Sequence, residues 1–65
     1  MNDVIPGATY YDSAFGVRAI CNGTFENEDG DLVVKLEYNG INGTVTVEYD
    51  IFREEEDIEL VEHPK

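Results

Sequence analysis

The chain has 65 residues, with 15 Asp plus Glu against 4 Lys plus Arg, a formal net charge of −11 and an isoelectric point near 4.1. That length holds one small domain. That charge argues against free nucleic acid or an anionic membrane surface as the ligand, because affinity for both comes from Lys and Arg.

Residues 1–7 read as a lead-in segment punctuated by Pro6-Gly7. Ala8 to Tyr11 predicts a short strand, and Asp12-Ser13 a turn. From Phe15 to Glu26 the residues alternate, which puts Phe15, Val17, Ala19, Cys21 and Phe25 on an inner face and leaves Ile20 outside. Gly23 falls where the inner face needs a side chain, so a bend or bulge is expected there. A two-residue Asn22-Gly23 hairpin turn is the alternative, and the bent strand is preferred because too little chain follows before the next turn.

Asn27 to Gly30 predicts a turn. Asp31 to Tyr38 then alternates, with Leu32, Val34, Leu36 and Tyr38 inward and Val33, Lys35 and Glu37 outward. Residues 39–43 form a second turn, whose two Asn-Gly pairs supply positive φ. Thr44 to Asp50 alternates again, with Val45, Val47 and Tyr49 inward. This hairpin is the clearest element in the sequence. Between Ile51 and Asp57 one helical turn of 3₁₀ type would return Phe52 to the core. Ile58, Leu60 and Val61 make a last strand, and residues 63–65 a tail.

The predicted architecture is therefore all-β, a single domain over 1–65. Five short strands with one helical turn before the last resemble a small SH3-like barrel, and an OB-type barrel is the second choice. Closure into a barrel would remove sheet edges. The 42% apolar fraction, with four Tyr and three Phe, separates the chain from disordered acidic segments, which are poor in aromatic and β-branched residues. No apolar run reaches the roughly 18 residues of a membrane span. Met1-Asn2-Asp3-Val4 has neither the basic nor the apolar region of a secretory signal. With Cys21 as the one cysteine, a reducing, cytoplasmic setting is expected.

Catalysis is not expected. The one histidine, His63, sits in the tail, and Cys21 falls on the inner face of a strand with no Lys or Arg beside it. One Cys and one His cannot supply a structural zinc site. The oxygen-rich run from Glu26 to Asp31 fails as an EF-hand, because aligning Gly30 with the loop glycine puts Phe25 and Leu36 at end positions that must ligate. No cofactor or metal is expected, and no glycine-rich phosphate loop is present.

The charge pattern is the informative feature. Glu26, Glu28, Asp29 and Asp31 form one acidic run. Glu54, Glu55, Glu56, Asp57, Glu59 and Glu62 form another, and Glu48 and Asp50 lead into it. On a strand, residues i and i+2 lie about 6.6 Å apart on one face, a spacing close to that of successive phosphates along a nucleic acid backbone. The chain thus resembles, in size and charge, the DNA-mimic inhibitors that viruses and mobile elements use against host nucleases. The resemblance implies a non-enzymatic protein of anti-restriction or anti-CRISPR type that docks on the basic, nucleic-acid-binding surface of a partner protein. Glu48, Asp50, Glu54, Glu55, Glu56, Asp57 and Glu59 would act as phosphate surrogates, extended by Glu26, Glu28, Asp29 and Asp31 if the fold brings that turn round. The competing expectation is an interaction or structural module that uses a sheet edge or an exposed tyrosine, either Tyr10 or Tyr11. A sheet edge also leaves room for a homodimer, opposed at low salt by a net charge of −11 per chain.

Overall fold

The computed structural model describes residues 1–40 and 43–64. The elements run β1 (Thr9–Asp12), β2 (Val17–Glu26), β3 (Leu32–Tyr38), β4 (Val45–Glu48), α1 (Tyr49–Glu54) and β5 (Ile58–Glu62). The centre of the expected 39–43 turn and the end of the expected tail fall outside the described residues. All strand pairings are antiparallel, and the sheet order is β4-β3-β2-β1-β5. The expected closure is not found: among the described residues no pairing joins β4 to β5, so both are edges of an open sheet. No described helix is long and apolar enough to cross a membrane.

Strand β2 carries the bulge its sequence predicts. Cys21 pairs with Leu36 but Thr24 pairs with Val34, so Asn22 and Gly23 together oppose one residue of β3. Gly23 takes φ 97°, a left-handed conformation that glycine adopts without steric cost. The extra residue shifts the inside–outside phase of everything after it. Phe25, expected inward, is therefore turned outward and is 41% exposed. Its partner Val33, expected outward, is buried, and the Lys35 ammonium sits 4.3 Å from the centre of the Phe25 ring.

The core is formed by Ala8, Tyr10, Ala19, Cys21, Val34, Leu36, Tyr38, Phe52 and Ile58, with Val4, Ile5, Val17, Val47, Tyr49 and Leu60 packed around it. Several inward assignments need correction. Phe15 lies before β2, in the β1–β2 turn, and is 74% exposed. Leu32 and Val45 open their strands and are exposed. Tyr49 belongs to α1 rather than to β4. Tyr10, a candidate exposed anchor, is buried, while its neighbour Tyr11 is half-buried on the opposite face.

The helical segment comes earlier than expected and is α rather than 3₁₀. Six residues are too few for a helix to persist alone in water, so its stability is tertiary. Phe52 is fully buried and meets Tyr10 edge-on at 5.2 Å. The lead-in segment closes the other end. Asn2 donates from its side chain to the carbonyls of Phe52 (3.0 Å) and Glu55 (2.9 Å), and from its backbone to Arg53 (2.8 Å). Carbonyls that a helix C-terminus leaves without partners are thus satisfied from the far end of the chain. Asp50 in the first turn and Arg53 in the last suit the helix dipole.

Candidate functional site

The turn between β2 and β3 is built on Asn27. Its Oδ1 accepts from the amides of Asp29 (3.0 Å) and Asp31 (2.9 Å), and its backbone amide donates to the Asp31 carbonyl. The chain reverses around that side chain, which leaves Glu26, Glu28, Asp29 and Asp31 exposed. Gly30 at φ 84° completes the turn.

The register carries this turn toward the second acidic run. Glu26 pairs with Leu32, and Val33 pairs with Glu48, so the end of β4 lies beside the start of β3. As a result Asp31 and Leu32 share an open groove of about 300 Å³ with Glu48, Tyr49 and Asp50. Three carboxylates separated by up to nineteen positions in sequence thereby line one depression. A second, shallower depression is lined by Ile51, Glu54, Glu55, Glu56 and Asp57.

The remaining candidates are arranged differently from the expected row. Strand β4 ends at Glu48, and Asp50 belongs to the first turn of α1. Glu48 and Asp50 therefore do not stand at strand spacing on one face, because the backbone coils between them. Glu55 closes α1, is half-buried, and accepts from the Asp57 amide at 3.2 Å. Glu59 is exposed on β5 opposite Tyr11. The acidic surface is thus a curved band over a turn, a strand end and a short helix.

Among the described residues no ion pair neutralises this band. Lys35 is held over Phe25. The Arg53 guanidinium stacks toward Tyr49 at 5.7 Å and donates to the Met1 thioether at 2.8 Å. Nor do the described residues contain a group of three or more His, Cys, Asp or Glu arranged to hold a metal ion. Cys21 is fully buried, with its sulfur accepting from the Gly23 amide. His63 is exposed beyond β5. The arrangement can present hydrogen-bond acceptors and negative potential.

One acid that the sequence suggested was merely a turn residue is structural. Asp12 is 5% exposed. Its Oδ2 accepts from the Tyr38 hydroxyl at 2.7 Å and its Oδ1 from the Ala14 amide at 3.0 Å. Burial, then the hydrogen bond to Asp12 and the charge of that carboxylate, raise the Tyr38 phenol well above its ordinary value. Burial likewise raises the Tyr10 phenol, partly offset by the Ile5 amide that donates to it. The one sequence signal for Asp12 was parity: it stands two residues after Tyr10, hence on the same face of β1.

No family model, curated protein or solved structure matches this chain.

Proposed function

We propose that this protein is a non-enzymatic binding domain. Its acidic band docks on the basic, nucleic-acid-binding surface of a partner protein, in the manner of a DNA-mimic inhibitor carried by a phage or another mobile element. The observation that carries this is the shared groove, where Asp31 from one acidic run meets Glu48 and Asp50 from the other. A band of carboxylates without cationic partners raises the association rate with a basic surface and makes binding salt-sensitive. The strand order and the helix before the last strand support an open SH3-like arrangement as the scaffold. The domain would act inside the cell, where such partners are found.

The test is retention from a bacterial lysate on the immobilised domain, with elution first by salt and then by duplex DNA. The expected result is a nucleic-acid-binding protein released by moderate salt and by DNA, and lost when Asp31→Asn, Glu48→Gln and Asp50→Asn are combined. A partner that survives DNA and the triple substitution refutes the proposal. The second reading, an edge-pairing interaction module, is favoured by the two unpaired edges at β4 and β5. It predicts that same resistant partner, since strand addition uses main-chain hydrogen bonds. Its tyrosine variant rests on Tyr11 alone, because Tyr10 is buried.

A further inference from the structure

Phe15 is the most exposed aromatic ring in the described chain, at 74%, and it is not loosely held. Its turn is fixed at several points. The Gly16 amide donates to the Asp12 carbonyl (2.8 Å), the Ala14 amide to Asp12 Oδ1, and both the amide and the hydroxyl of Ser13 to the Asp57 carbonyl (2.8 and 3.1 Å). The last pair lashes the β1–β2 turn to the turn between α1 and β5. A large apolar ring in water contributes little to folding, yet this one is presented by a rigid loop, in a T-shaped pair with Tyr38 at 6.2 Å and 89°.

The ring borders a groove of about 210 Å³ in the open seam between β4 and β5. Buried Tyr38 and Ile58 form its floor, and Val45 and Val47 line it from β4. Asp12, Glu55 and Asp57 also line it; the buried Asp12 carboxylate is held by Tyr38 and Ala14, so the acids a guest can use are Glu55 and Asp57. A purely apolar guest would use the carbon surface and gain nothing from the acids. A lysine ammonium would have to shed strongly held water to approach the rings. Arginine matches both features. Its stem can lie along valine and isoleucine, and its weakly hydrated, planar head can stack on an aromatic face while its fork reaches carboxylates.

We infer that this groove is an arginine socket, which takes one arginine side chain from the partner between Phe15 and the Glu55–Asp57 turn. The inference deepens the proposed function and rests on the partner's being basic, but it uses a different part of the surface from the Asp31–Glu48–Asp50 groove. Phe15 would serve as its preformed anchor, since a rigid loop loses little entropy on binding.

The probe is N-acetyl-arginine amide, titrated into the isotopically labelled full chain and followed by amide chemical shifts. The lysine and norleucine amides serve as controls. Saturable shifts are expected at Ala14, Phe15, Val45, Val47 and Asp57. Binding should weaken by at least about threefold for the lysine amide, and by a similar factor with Phe15→Ala or with Glu55→Gln plus Asp57→Asn. These residues are exposed or half-buried, so the rest of each variant's spectrum should match wild type. The triple substitution at Asp31, Glu48 and Asp50 should leave the titration unchanged. Equal binding of the norleucine amide, or unsaturable shifts spread over every acidic segment, would overturn the socket. Either result would leave the acidic band to be judged by DNA-sensitive retention of its partner.

Discussion

Replacing Tyr38 by Phe removes one oxygen from the core and nothing else. That oxygen donates to Asp12 Oδ2 at 2.7 Å, and Asp12 is 5% exposed, so water cannot easily replace it. Losing a hydrogen bond to a buried charged group costs about 1.5–3 kcal/mol. A domain of this length has a total stability of about 3–10 kcal/mol, so the fraction lost is large. At about 4–8 °C per kcal/mol for a chain this small, Tm at pH 7 should fall by at least about 6 °C. The alkaline limb gives a second, independent readout. In the unfolded chain both phenols ionise near pH 10, whereas in the fold Tyr38 and Tyr10 are held protonated above that. Their contribution is complete below pH 10. Above it the unfolded chain binds fewer protons, so stability falls as pH rises, with a limiting slope of about 1.4 kcal/mol per pH unit for each phenol. Tyr38→Phe should reduce that slope, so the wild-type and variant curves converge toward high pH. Thermal melts by circular dichroism between pH 7 and 11 would show both effects. A variant within about 2 °C of wild type at pH 7, with an unaltered alkaline slope, would refute the assigned roles of Asp12 and Tyr38.

Asn2→Ala removes two side-chain bonds to the end of α1 and should cost about 1–2 kcal/mol. Because Phe52 stays buried, the loss should appear as faster amide exchange confined to α1 and Glu55, and protection equal to wild type would count against the clamp. Raising NaCl from 0.05 to 0.5 M screens the self-repulsion of eleven net charges. It should raise Tm by about 5 °C, which corresponds to roughly 1 kcal/mol. A flat or falling Tm would mean that the acidic band is not electrostatically strained.

The hairpin β3–β4 was legible because strict alternation over Val34, Leu36 and Tyr38 leaves one way to bury a sheet face. The return of Phe52 to the core was legible for a similar reason, since one aromatic in an acidic segment has one profitable direction. The bulge at Gly23 is also visible in the sequence, but simple alternation does not include the phase change it causes, so Phe25 falls on the opposite face from the one expected, while Val33 keeps its outer face and is nonetheless buried. Phe15 lies outside β2, in a turn, where alternation has no force. The acidic segments themselves stand out in any composition plot. Their meeting does not, because it depends on the β3–β4 register, which brings Glu48 alongside Val33. Asp12 was hidden for a related reason. An aspartate after a strand reads as a solvated turn unless the tyrosine that partners it, at position 38, is already known to lie across the core.

The sheet order has a consequence for how this chain comes into being. Strand β1 is flanked by β2 on one side and by β5 on the other, with Thr9 opposite Glu62 and Asp12 opposite Ile58. Asn2 reaches Phe52 in the same way. The contacts that complete the core therefore span almost the whole chain, and such contacts form late because loop closure must precede them. A nascent chain emerging from the ribosome could assemble the β2–β3–β4 meander early, yet β1 would wait with one edge bare until β5 arrived. Until then the half-made domain would expose a pairing edge and the site for Phe52, and its dense like charge would be what keeps neighbouring nascent chains apart.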